Sequence, residues 1–204
     1  MRLGIFGGTF DPIHVGHLVL AEQCREQCLL DEVWFVPAAQ PPHKMSASIS
    51  SAKARCEMIE FAIAGHSSFR LATIELDRAG PSYTVLTLEQ LKSEDATREL
   101  FLLIGADSLR DLPHWREPTR ILELATVVAV NRGDSSMPDR TELRSAVGSS
   151  ADEGIVTVNM PAIDVSATDV RARIAAGRSI RYLVPRAVEM YIRDQGLFRT
   201  GNRE

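Results

Sequence analysis

Apolar runs of β character recur along the chain at Leu3–Phe6, Val33–Val36, Arg70–Leu76, Leu100–Ile104, Thr126–Val130 and Ile155–Met160. Helical patterns separate most of them, at about 15–29, 53–65, 84–93, 116–124 and 139–147. Strands alternating with helices predict parallel βαβ units, and so an α/β, Rossmann-like, doubly wound and mainly parallel sheet. FLLI at 101–104 and VVAV at 127–130 are apolar at every position, which suits strands covered on both faces. After Pro161 the pattern changes to two short helices. Ser166 reads as an N-cap with Asp169 three residues on, and Gly177 as the stop. Pro185 can open the second helix and Gly196 can end it. There is no repeat and no low-complexity tract. The expected organisation is one domain over 1–204, with a helical C-terminal subregion from about 162. The longest irregular stretches are 37–52 and 132–138.

Composition adds limits rather than identity. A chain of 204 residues, 45% apolar and 25% charged, can bury a real core. No apolar run reaches the ~18 residues that span a membrane. The amino terminus is already a strand and carries Asp11, so no secretory leader is expected. A net charge of −4 gives no global attraction for nucleic acid, so anion binding must come from local groups. Cys24, Cys28 and Cys56 form an odd set without zinc spacing, and Cys24 and Cys28 would sit one helical turn apart. Buried thiols in a reducing cytoplasm are the expectation.

The chemistry begins at GGTFDPIHVGH, residues 7–17. Gly7 and Gly8 are expected to make a tight turn where the first strand ends. The following helix would point its first N–H groups, and the positive end of its dipole, at the sheet's carboxyl edge, where open parallel sheets bind ligands. His14 and His17, three apart, project from one face of the helix start. Gly16 between them is expected to leave room for a phosphate. The stretch reads as a polyphosphate cradle, although it is neither a GxGxxG fingerprint nor a Walker loop. VSATDVRAR at 165–173 offers a second anion site, with Ser166 and Thr168 at a helix start and Arg171 one turn on. Asp107 in GAD, with Gly105 closing the FLLI strand, can accept from ribose hydroxyls. Arg132 follows VVAV at the sheet's edge, near where adenine or its phosphates would lie. Lys44 follows a proline-stiffened loop that can carry its ammonium over phosphates. Each has a plain structural counterpart: a core Trp at 115, a solvated Lys44, a solvated or phosphate-facing Arg55, a surface His43.

The 7–17 stretch resembles the signature of the HxGH nucleotidylyltransferases. With VPAAQPPHK at 36–44, PSYTVLTLEQL at 81–91, GADSLRDLPHW at 105–115, VSATDVRARI at 165–174 and YLVPRAVEMYI at 182–192, the chain is similar nearly end to end to the bacterial nicotinate-nucleotide adenylyltransferase family. That resemblance implies ATP and nicotinate mononucleotide as substrates, Mg²⁺ accompanying ATP, and deamido-NAD and pyrophosphate as products. It implies that His17 bonds the α-phosphate, that His14 serves the neighbouring phosphates, and that Thr9 and Phe10 supply backbone contacts. Lys44 and Arg171 join the histidines as catalytic cations. Tyr83, Thr84 and Trp115, with Lys44, face the mononucleotide, whose ring stacks on Trp115. Two positions depart from the family: Ala167 where a second serine is usual, and Leu86 where Asp is common.

The attacking 5′-phosphate, with a second pKa near ~6, is largely dianionic at neutral pH and needs no general base. The site residues should therefore be donors and cations, and no Cys or Ser nucleophile motif occurs. The alternatives are a sister enzyme acting on nicotinamide mononucleotide, phosphopantetheine or a cytidylyl substrate, or a non-catalytic nucleotide-binding regulator. PSYT and Trp115 oppose phosphopantetheine and cytidylyl chemistry, and the intact His14, His17, Lys44 and Arg171 oppose a decayed site. Nicotinate and nicotinamide are not separated at this level, and a homo-oligomer is compatible with the sequence.

Overall fold

Six strands lie side by side, all parallel, in the order β3-β2-β1-β4-β5-β6. They are β1 (Arg2–Gly8), β2 (Glu32–Pro37), β3 (Phe69–Leu71), β4 (Glu99–Gly105), β5 (Ala125–Arg132) and β6 (Ile155–Met160). The helices are α1 (Val15–Gln27), α2 (Ala52–Ile63), α3 (Thr84–Glu94), α4 (Ala106–Asp111), α5 (Pro118–Leu124), α6 (Arg140–Val147), α7 (Ala167–Ala175) and α8 (Arg186–Asp194). A computed structural model describes residues 1–39, 49–132, 140–148 and 154–199. Among the described residues, no helix is long and apolar enough to cross a membrane.

The two-residue period of the strands splits the apolar side chains between two cores. Phe6, Val33, Phe35, Phe101, Leu103, Val128 and Val130 face one side, under α1, α2, α7 and α8. Leu3, Ile5, Val36, Leu100, Leu102, Ile104, Val127 and Ala129 face the other, under α3 to α6. This is why FLLI and VVAV carry no polar position. The chain leaves β1 toward the first face and β4 toward the second, so the crevice at the carboxyl ends of these neighbouring strands is a topological switch point.

Several boundaries differ from the sequence reading. The Arg70–Leu76 run pairs only over Phe69–Leu71. Past Ala72 the chain turns, with the Leu76 and Asp77 N–H groups on the Thr73 carbonyl and the Thr73 hydroxyl on Asp77. That local bonding competes successfully with an edge ladder. The 116–124 pattern starts at Pro118, because Glu117 is left-handed (φ 53°) and proline suits the first helical position. The short α4 directly after β4 was not foreseen. The first helix stops at Gln27, followed by left-handed Leu29 (φ 51°). Ser166 does cap α7, accepting from the Asp169 N–H at 3.0 Å. All three cysteines are free, with Cys24 in the core and Cys28 and Cys56 half-buried, and burial pushes each thiol up.

Phe35 is fully buried and packs on Phe6, Phe10 and Phe69 at centroid distances of 5.3–5.8 Å. Phe35→Ala should lower the unfolding free energy by about 3–5 kcal/mol. Urea denaturation with an unchanged m-value reads this directly; a loss under ~1 kcal/mol would mean the aromatic cluster collapses around the gap.

Candidate active site

The turn leaving β1 is built differently from the expected glycine turn. Gly7 and Gly8 remain in the strand, paired with Val36 and Pro37. The left-handed residue is Phe10 (φ 50°), and the Asp11–Pro12 peptide that follows is cis. Gly8 serves a close approach: a Cβ there would stand 2.9 Å from the Phe10 ring. The Phe10 ring packs beneath the site among Phe6, Phe35 and His17.

His14 is the N-cap residue of α1 and is buried; His17, three on, is half-buried. Their rings stack with centroids 3.7 Å apart and planes 23° from parallel. Phe6 and Phe10 meet the His17 ring edge-on at 5.9 and 5.1 Å. The His14 backbone N–H donates to His17 Nδ1 at 3.2 Å, the reach-back bond that Glu or Gln usually makes at a helix start. An accepting Nδ1 leaves the ring proton on Nε2, which turns His17 into an Nε2–H donor. Gly16 makes room for the histidine: a Cβ there would meet the His14 ring at 3.2 Å. The helix amides are also less available than expected. Val15 N–H donates to Leu183 O and His17 N–H to His14 O, both at 3.0 Å.

The C-terminal anion element joins this turn. Arg171 donates from Nη1 to the Asp11 carbonyl at 2.7 Å and from Nη2 to Thr168 Oγ1 at 3.3 Å. Ser166 and Thr168 are exposed at the start of α7, with Ala167 half-buried between them.

The next strand opens a second compartment. A cavity of about 280 Å³ lies between the start of α3 and the chain after α4, lined by Ser82, Tyr83, Thr84, His114, Trp115 and Arg116 among others. Trp115 is half-buried; it packs against the second core cluster and also lines the cavity. The Arg116 guanidinium lies 4.8 Å over the Tyr83 ring. Below, buried Glu75 accepts from the Thr87 hydroxyl at 2.9 Å. Burial pushes its carboxyl up, against hydrogen bonds from Ser82 and Thr87 and the charge of Arg78. Ser82 Oγ accepts the Ala39 N–H at 2.9 Å, tying this segment to the end of β2. Leu86, at the departure from the family, packs into the core, and its N–H bonds Tyr83 O at 3.1 Å.

Gly105 caps α4 at the end of β4, and Asp107 stands in that helix's first turn, exposed and paired with Arg110 at 2.6 Å. Arg132 closes β5, two strands from β1, in register with Met160. Lys44 and His43 lie outside the described residues.

The cytidylyltransferase-like family model matches residues 5–173. Curated relatives named "Probable nicotinate-nucleotide adenylyltransferase" in Thermomicrobium roseum and Thermus thermophilus are each 45% identical over 199 residues. The alignments cover 98% of this chain and 92% and 100% of those proteins. The chain belongs to the cytidylyltransferase-like family and, within it, to the nicotinate-nucleotide adenylyltransferases. The fold agrees: nicotinic acid mononucleotide adenylyltransferase of Plasmodium falciparum, solved complexed with NaAD, superposes with a TM-score of 0.79 at 18% identity, covering 97% of each chain.

Within this nicotinate-nucleotide adenylyltransferase frame, the sequence reading missed three groups beside the candidate site, Asp11, Glu75 and Arg116. Asp11 is buried beside the β1 turn, and so is Arg55, which is not solvated. Glu75 and Arg116 support and flank the second compartment. Asp11 was in plain view inside the signature; nothing in the local pattern marks Arg55 or Glu75 as buried.

The Nδ1 acceptor role is directly measurable. ¹⁵N NMR of the free protein near neutral pH should find His17 Nε2 protonated and Nδ1 bare. A proton on Nδ1 would break the His14–His17 reach-back bond and the donor role built on it.

Proposed function

We propose that the chain transfers the adenylyl group of ATP to nicotinate mononucleotide, giving deamido-NAD and pyrophosphate in NAD biosynthesis. One observation carries the reading. A donor cluster follows the carboxyl end of β1 (His14, His17, Arg171), and a cavity lined by Trp115 and Tyr83 lies beyond the same end of β4, the neighbouring strand. Two anionic substrates can be held against each other across the switch point.

The attacking phosphate brings its own charge, so catalysis consists of alignment and of stabilising charge on the α-phosphate and leaving pyrophosphate. His17 donates from Nε2 to the α-phosphate, and His14, stacked on it, serves the neighbouring phosphates. Arg171, Ser166 and Thr168 receive the rest of the triphosphate. Gly7, Gly8, Thr9 and Phe10 let the backbone approach, Gly105 and Asp107 meet the ribose, and Arg132 meets the adenine side. Lys44 adds a cation over the phosphates. Tyr83, Thr84 and Trp115 hold the mononucleotide.

Family members use ATP with a divalent metal, and Mg²⁺ is the ion we assign. The donors at the phosphate half-site are N–H groups, hydroxyls and cations, which fits a metal whose oxygen ligands come from the triphosphate. It neutralises phosphate charge there. The free thiols suit the cytoplasm as the place of action.

Incubation with ATP, Mg²⁺ and each candidate acceptor, tracking pyrophosphate, tests the reading. Nicotinate mononucleotide should be the best acceptor; faster turnover of phosphopantetheine would overturn it. His17→Ala should cut turnover by about 10²–10³, the usual cost of one transition-state donor, with a much smaller loss of ATP affinity. His17→Asn, which still offers an N–H, should recover part. Loss confined to ATP affinity would make His17 a ground-state binding residue.

Trp115→Ala separates the two compartments. Mononucleotide binding should weaken by on the order of 1 kcal/mol, the scale of aromatic stacking, while ATP binding holds. Equal losses for both ligands by calorimetry would return Trp115 to a purely packing role.

A further inference from the structure

Arg55, on α2, is 2% exposed and has no part in the adenylyl-transfer scheme above. Its Nη1 donates to the Thr9 carbonyl at 3.1 Å and its Nε to the Ser50 carbonyl at 3.3 Å. Asp11, 4% exposed, is the carboxylate whose charge acts on it. Asp11 Oδ2 accepts the Ser50 N–H at 3.2 Å, and its backbone carbonyl accepts from Arg171. One buried cation thus joins three pieces of chain: the β1 exit, the residues before α2, and α2 itself.

The residues bordering segment 40–48 are tied to the same exit. On one side Ala38 N–H donates to Gly8 O at 2.9 Å; on the other Ser50 meets Asp11 and Arg55. The mononucleotide compartment rests on different bonds, those of Glu75, Thr87 and Ser82 and the Arg116–Tyr83 contact. Guanidinium suits the Arg55 position because it is charged at any working pH and its fixed fork reaches two carbonyls at once. Without it, Asp11 would stay buried with its nearby cation gone and Thr9 would lose its anchor.

We propose that Arg55 is a positioning residue for the ATP half of the site: through the Thr9 and Ser50 carbonyls it fixes the turn that aims His14 and His17, and it touches no substrate. This deepens the adenylyl-transfer reading and rests on it.

The test compares Arg55→Met and Arg55→Lys with wild type in the intact protein. The readouts are melting temperature, kcat and KM, and dissociation constants for ATP and nicotinate mononucleotide, each titrated alone. In folded Arg55→Met, kcat/KM for ATP should fall roughly ten- to hundredfold, the scale of a small misplacement of catalytic groups. ATP affinity should weaken, mononucleotide affinity should stay within about twofold, and Arg55→Lys should recover part of the loss by reaching one carbonyl. Parallel loss for both substrates, or unchanged ATP binding and kinetics, overturns the proposal. If Arg55→Met does not fold, Arg55→Lys carries the same comparison of two dissociation constants. Wild type that turns over no nicotinate mononucleotide would sink the functional reading alone, since the ATP titrations still report on Arg55.

Discussion

Two guanidinium groups hold the carbonyls of the turn that leaves β1, Arg55 at Thr9 and Arg171 at Asp11, and the geometry of the phosphate site follows from that hold. The turn contains a left-handed Phe10, a conformation that costs a non-glycine residue about 1–2 kcal/mol and persists only where its surroundings leave no alternative. The arginines restrain the backbone; Phe6 and Phe35 restrain the ring. Phe10 then presents its ring to His17, His17 stacks on His14, and the reach-back bond fixes which nitrogen donates. Each contact is modest. Together they fix the orientation of the two rings on folding.

The C-terminal helices belong to this arrangement. Leu183 satisfies the first amide of α1, and α7 supplies Arg171 while Val170, Val188 and Ile192 pack into the same core as Phe6 and Phe35. These helices therefore cover one face of the sheet and brace the turn after β1 together. The β4 side is more self-contained, because α4, the turn at Leu112–His114 and α5 follow one another directly and carry Trp115 between them.

The sheet and most helices were legible because their signals are local and repeated: alternating elements, continuous apolar strands, a serine cap, and proline and glycine at helix ends. The His14–His17 pair was legible for the same reason, since three-residue spacing at a helix start fixes a shared face. Legibility failed where long-range contacts decided. Glycine pairs usually announce a turn, yet here the strain sits on Phe10, because an aromatic ring in that place is held by three others. Gly16 also leaves space for the His14 ring, which the local pattern does not reveal. Arg55, 44 residues after Asp11 in sequence, gave no local sign that it would be buried against the turn. The edge strand β3 shortened because Thr73 offered the backbone a local partner that an alternating pattern does not reveal.

Charged groups in this protein divide by whether water reaches them. Asp107, exposed and held only by Arg110, can exchange that partner for a ligand at little cost. Glu75 is the opposite case. Burial raises its carboxyl above the unfolded value, so its favourable contribution to folding belongs to acidic pH and is lost as pH rises through the raised value. What it gives in return is location, since the Thr87 and Ser82 hydroxyls that converge on it hold the segment carrying Tyr83 and Thr84, and Ser82 in turn holds the end of β2. Arg55 is a related case beneath the β1 turn, where burial disfavours its charged form and the charge of Asp11 offsets part of that effect. Arg55 and Glu75 are thus buried ionisable side chains that a purely stabilising core would omit, each bonded to a segment that carries candidate site residues.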